Sequence, residues 1–173
     1  MAGIFSIVVT SNSALTGLGA ILDRMRSLIP FWRDVFAPAY FAEVQDLFAM
    51  EGQPRGASGR FGAGHWAPLS PDYEAWKNRH FPGMPILQRT GKLKASLEWN
   101  GNSLGDGGVF VPMPLSVLVG TDVIYGKYHN RGTATMPKRE FLPTPDLGRY
   151  TGLLRTWLLE NQPRDVSGRW MQW

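Results

Sequence analysis

Apolar residues Leu15, Leu18, Leu22, Met25, Ile29, Trp32 and Phe36 follow one another at alternating steps of three and four positions. That spacing puts all of them on one face of a helix, and Asp23, Arg24, Arg26, Arg33 and Asp34 fall on the other. Pro30 interrupts the run, because it lacks a backbone donor and disfavours helical geometry at the preceding residue. The pattern therefore predicts a kinked helix or two helices, over about 13–29 and 31–50, with Pro38 as a second point of bending. Ahead of it, the β-branched run from Ile4 to Val9 predicts a strand, and Ser11-Asn12-Ser13 a helix cap. Such a stripe faces either the chain's own core or a neighbouring subunit.

Residues 51–65 hold five glycines and one proline, with Arg55 and Arg60 between them. Backbone of this kind is costly to order and predicts a loop or linker separating the N-terminal helices from the rest. Ser70-Pro71 then opens a short helix, with Asp72 and Glu74 in its first turn and Lys77, Arg79 and His80 near its end, where each charge suits the helix dipole. The stretch Pro82 to Pro85 ends it. Thr90-Gly91 introduces a short helical or extended piece, and Leu93 and Leu97 form an apolar strip that can dock on a sheet. After a glycine-rich turn at 100–108, Val109–Val111 and Leu115–Val119 predict strands, the second continuing through Val123–Tyr125. Tyr150–Glu160 predicts a final amphipathic helix.

The expected fold is therefore α+β, with a small antiparallel sheet packed against N-terminal and C-terminal helices, extended loops and a tail. In outline, 1–50 holds a strand and helices, 51–65 a glycine-rich loop, 66–162 an α+β core and 163–173 a tail, within a single domain overall.

Composition narrows the function. The chain has 173 residues, 43% of them hydrophobic, and its seven tryptophans leave aromatic surface for interfaces as well as a core. No cysteine is present, which excludes disulfides, thiolate catalysis and cysteine-based zinc sites. The net charge is +4, with seven Lys/Arg against four Asp/Glu in residues 51–100. That excess suits a nucleic acid, an acidic protein partner or simply a solvated basic face. The apolar run at the N-terminus follows no basic segment and does not read as a signal peptide. No long uncharged apolar window predicts a membrane span, so no membrane partner is expected and synthesis is expected in the cytoplasm.

Candidate chemistry is sparse. His65, His80 and His129 lack metal-ligand spacing. Gly91-Lys92 fails as a phosphate loop, since Ile86 stands where the first glycine belongs and Leu93 follows the lysine. No nucleophile elbow is present, and Asp72 and Glu74 lie two apart on a helix start, which fits dipole partners better than an acid–base pair. No catalytic residue, metal or cofactor is expected.

One ordered set of short motifs is more specific. Trp66-Ala67-Pro68-Leu69-Ser70-Pro71 is followed by Lys77, then by Ile86 to Leu97 (ILQRTGKLKASL). Val119-Gly120-Thr121, Tyr125-Gly126-Lys127-Tyr128-His129 and Arg131-Gly132-Thr133 come next, and Met136-Pro137-Lys138-Arg139-Glu140-Phe141-Leu142 closes the series. Over residues 66–143 this resembles the phage virion morphogenesis family, the tail completion proteins of Mu-like and P2-like tailed phages. Glu140 departs from the pattern, where a second proline or a small residue is expected before Phe141-Leu142.

The resemblance implies a structural virion protein that finishes the tail or joins it to the head, and no enzyme. The expected localisation is the virion, at the tail or head–tail junction, after synthesis in the bacterial host. The expected partners are copies of itself in a ring, a hexamer around the DNA channel, together with neighbouring neck or tail proteins and DNA passing through that channel. Closed cyclic symmetry needs two unlike patches that meet head to tail. The candidate interface residues are Trp32, Phe36, Arg55, Arg60, Tyr125, Tyr128, His129, Arg139, Phe141, Trp170 and Trp173. Trp170 and Trp173 are expected to dock on a neighbour, since chain ends fray unless tied down. Arg139 reads as a charged anchor for the apolar pair Phe141-Leu142, its partner in the same chain or the next. The alternative reading is a small basic DNA-binding protein using the 51–100 region.

Overall fold

A computed structural model describes Leu22, residues 26–52 and residues 66–160. The predicted strand Ile4–Val9, most of the first predicted helix, Arg55, Arg60, Trp170 and Trp173 lie outside the described residues.

Pro30 starts a helix and does not kink one. It sits in the first turn, where its missing N–H costs no helical bond, and Ser27 and Leu28 before it are not helical. α1 (Ile29–Phe31) runs into a π-helical stretch, Trp32–Phe36, and then into α2 (Ala37–Ala49). The wider turn falls just ahead of Pro38. An α-helical ladder would require residue 38 to donate to the Asp34 carbonyl, which proline cannot do. The Ala37 N–H instead bonds the Trp32 carbonyl five residues back. At Pro38 the helix thus makes a one-residue register slip.

α2 buries Ala37, Tyr40, Phe41, Val44, Leu47 and Phe48, continuing the three-and-four spacing beyond Phe36. Leu22, at 48% exposed, is not part of this buried face. Phe36 is 4% exposed and stacks on Tyr40 with ring centroids 5.3 Å apart. It is a core residue of this chain, not the surface group proposed from its place in the stripe.

α3 (Pro71–His80) carries the charges expected of it, with Ser70 in extended conformation at its cap. Gly91 has a φ of 71°, a left-handed conformation that favours glycine, and turns the chain into α4 (Lys92–Ser96). Leu93 and Leu97 are fully buried. β1 (Gly108–Pro112) and β2 (Val117–Thr121) form an antiparallel hairpin in which Phe110 opposes Val119 and Val111 opposes Leu118. Phe110, Val117 and Val119 pack on the core. The other face leaves Val111 and Leu118 exposed, together with Met113 and Leu115 in the connecting turn. The hairpin tip is pinned to the first helix, where the Leu28 N–H donates to the Pro114 carbonyl (2.6 Å) and Trp32 Nε1 to the Met113 carbonyl (3.1 Å).

β2 does not continue through Val123–Tyr125 as expected. The Thr121 hydroxyl accepts the Val123 N–H at 3.2 Å and donates to the Gly107 carbonyl at 3.2 Å. This closes the strand and turns the chain into α5 (Gly126–Arg131). α6 (Leu147–Glu160) begins three residues before the predicted start, with Asp146 Oδ1 accepting the Arg149 N–H at 3.2 Å.

The core is continuous across both sides of residues 53–65. Phe48 packs against Trp66 (5.4 Å between centroids) and Phe141 (5.9 Å), and the Tyr40 hydroxyl donates to the Pro143 carbonyl at 2.9 Å. Burial pushes the Tyr40 phenol pKa well up, so the group is a fixed neutral donor. Glu43 on α2 pairs with Arg149 on α6.

Candidate functional site

Several of the motif residues scattered along the sequence, Trp66, Gly126, Arg139 and Phe141 among them, meet at one joint. The segment 136–142 lies between α5 and the segment 66–70. Its backbone is held from both sides, because its residues belong to no helix or strand and so need partners elsewhere. Asn130 Oδ1 accepts the N–H groups of Phe141 (3.0 Å) and Leu142 (3.1 Å). The Arg139 N–H donates to the His129 carbonyl at 2.8 Å. Trp66 Nε1 donates to the Glu140 carbonyl at 2.9 Å. Phe141, 1% exposed, inserts into the core; an ideal Cβ at Gly126 would lie 3.2 Å from its ring and 3.2 Å from Leu93 Cδ1. A side chain at this position would press on both neighbours, which would have to yield by a few tenths of an ångström. Glu140 points its carboxylate to Lys138 at 2.8 Å while its carbonyl serves Trp66.

Arg139 is anchored within its own chain. Its Nε and Nη2 donate to the carbonyls of Ala67 and Pro68, each at 2.7 Å, and the residue is 4% exposed. Lys77 is equally buried and donates to the carbonyls of Met84 and Pro85. Burial lowers the pKa of both cations. Peptide dipoles satisfy their donors without cancelling their charge, and neither forms an ion pair among the described residues.

Beside this joint lies a groove of about 460 Å³, within the usual size range of ligand pockets. Its apolar wall includes Leu69, Leu87 and Met136, and Tyr73 and Tyr125 supply aromatic faces. Lys77, Arg89, His129 and Arg139 supply positive or protonatable groups, and among the described residues no carboxylate lines it. Arg89 lies over the rings of Trp76 (5.8 Å) and Phe81 (5.6 Å), and Trp76 in turn stacks on Tyr73 (5.5 Å) and His80 (4.8 Å). His129 meets Tyr125 edge to face at 6.0 Å. Its Nδ1 is buried without a hydrogen-bond partner among the described residues. Burial, then the nearby Arg139 charge, lowers its pKa, so the imidazole is neutral at pH 7.

Of the residues singled out from sequence, Tyr125, His129 and Arg139 converge on this groove. Tyr128 is exposed outside it, with the Lys127 ammonium over its ring at 4.9 Å. Trp32 is half-buried at the hairpin tip, while Phe36 and Phe141 are interior and offer no free surface. Sequence reasoning missed Tyr73, Arg89 and Asn130. Tyr73 and Lys77 are four apart on α3 and so share a face, a signal available in advance. Asn130 gave no such signal, because its partners are eleven and twelve residues away in a segment without regular structure.

Among the described residues no group of His, Asp or Glu is arranged to hold a metal ion, and no helix is long and apolar enough to cross a membrane. No protein-family model, curated protein or solved structure matches the chain.

Proposed function

We propose that this chain is a non-enzymatic structural component of a tailed-phage virion, acting in tail completion or in joining tail to head as part of a neck ring. The observation that carries the reading is the ordered motif series from Trp66 to Leu142, together with its interdependence. Trp66, Gly126, Arg139 and Phe141, distant in sequence, contact or bond one another's segments in a single joint.

Exposed apolar surface adds support. Val111, Met113, Leu115 and Leu118 stand out from the hairpin, and contiguous apolar surface of this kind marks contact with other proteins. The interior cations are engaged by backbone carbonyls, which suits an architectural role. In this reading the ring, its hexameric count and its neighbours in the neck belong to the assembled particle.

The test is mass spectrometry of purified virions from a phage encoding this chain, paired with electron microscopy of particles made without it. The expected result is the chain in every preparation, and separated heads and tails, or unfinished tails, when it is missing. Normal infectious particles lacking the chain would refute the proposal.

A further inference from the structure

The groove beside Arg139 has one-sided electrostatics. Among the described residues, Lys77, Arg89 and Arg139 line it together without an ion-pair partner, and no carboxylate lies in its wall. Glu51 and Glu74 act on Lys77 from a distance, and the Glu51 carboxylate is already engaged by the Ile86 N–H. On Arg139 no carboxylate acts in this way, only Tyr73. Its Nε and Nη2 are spent on carbonyls, while Nη1 has no partner among the described residues. Around these charges the wall is apolar and aromatic, through Leu69, Leu87, Met136, Tyr73 and Tyr125.

We propose that this groove binds an acidic peptide segment of a partner protein, seating a carboxylate against Arg89 and Arg139 and an adjacent apolar or aromatic side chain against Tyr73, Leu87 and Met136. The charge favours an anion, and the wall favours a side chain next to it. A guanidinium offers a carboxylate paired, charge-assisted hydrogen bonds, which strengthen in a groove where water is partly excluded. Duplex DNA fits the same site poorly. Its affinity comes from many phosphates meeting exposed cations along a surface, whereas Lys77 and Arg139 are recessed to 4% exposure. Arg89 is the exposed member, held over Trp76 and Phe81 at the rim, and so is the first cation an incoming carboxylate meets.

This inference rests on the assembly reading only in taking a protein as the partner, and the two fail separately. The experiment is an NMR titration of the full chain with the peptide Ac-Gly-Asp-Phe-Glu-Gly-amide, its neutral counterpart with Asn and Gln, and a short DNA duplex. The Trp76 indole, Tyr125 and His129 signals report on the groove. The acidic peptide should shift them saturably, with the neutral peptide weaker by on the order of tenfold. R89E should weaken the acidic peptide by a similar factor. R79E, an exposed charge reversal on α3 and outside the groove, should change it by less than about twofold. Both variants alter exposed side chains, so their spectra should report intact folds. Absence of saturable shifts, equal binding of the neutral peptide, equal effects of R89E and R79E, or DNA binding the groove more tightly than the acidic peptide would each overturn the proposal. None of these outcomes bears on whether the chain is found in virions.

Discussion

Asn130 gives the sharpest test of how the joint is held. Its Oδ1 accepts two backbone N–H groups, from Phe141 at 3.0 Å and Leu142 at 3.1 Å. Replacement by alanine strands both donors. An unsatisfied buried donor costs about 1–3 kcal/mol. Phe141 is fully buried and incurs most of that, whereas Leu142 is half-buried and recovers part of its loss through water. Alanine also returns a few tenths of a kcal/mol in helix propensity within α5. The net expectation for N130A is a loss of about 2–4 kcal/mol. For a chain of this length that is a fall in Tm of roughly 5–12 °C. Asn130→Asp supplies the control, since it keeps the acceptor and makes it anionic. At pH 7 it should lie within about 1 kcal/mol of the parent. Its carboxyl pKa should fall below the ordinary aspartate value, because two N–H groups favour the charged form. The stability it contributes is then complete above about pH 4 and is lost as pH falls through the depressed folded value. Urea and thermal unfolding followed by tryptophan fluorescence measure both variants. The reasoning fails if N130A melts within a degree or two of the parent, or if N130D is as unstable as N130A at pH 7.

Three further outcomes are expected. Phe141→Ala empties a fully buried site between Phe48 and Gly126 and should cost about 3–5 kcal/mol by urea unfolding, without changing the oligomeric state. Tyr40→Phe removes the donor to the Pro143 carbonyl and should cost about 1–2 kcal/mol in a thermal melt, since the ring packing is retained. His129 is held neutral by burial and by Arg139, so its folded pKa lies below 6.5 while the unfolded chain takes up a proton near that value. Its contribution is complete above pH 6.5 and declines as pH falls through the window below it. The Tm of His129→Gln should therefore drop less than that of the parent between pH 7.5 and 5, and equal drops would remove His129 as the cause.

How far the sequence could be read depended on whether the governing interaction was local. The α3 helix followed from Ser70-Pro71 and its charge order, because caps and dipole partners act within a turn or two. The turn at Thr90-Gly91 and the two hairpin strands followed from glycine placement and β-branched runs, which are again local.

Three features required the tertiary fold. Pro30 and Pro38 carry the same backbone restriction, yet one opens a helix and the other is absorbed by a π-helical slip, since the outcome turns on which carbonyl each would have met. Phe36 and Trp32 belong to one stripe, but α6 and the hairpin cover them differently, so one is core and the other half-exposed. The groove draws its wall from the 66–70 segment, α3, the 82–91 loop, the start and body of α5, and the 133–139 segment, and no pattern along the chain brings those five together. The sequence by itself determined the local elements, the α+β class and the absence of cysteine chemistry. Which charges are buried, and that Lys77, Arg89 and Arg139 share a wall without a carboxylate, was decided by long-range packing, because burial and charge compensation depend on neighbours in space and not in the chain.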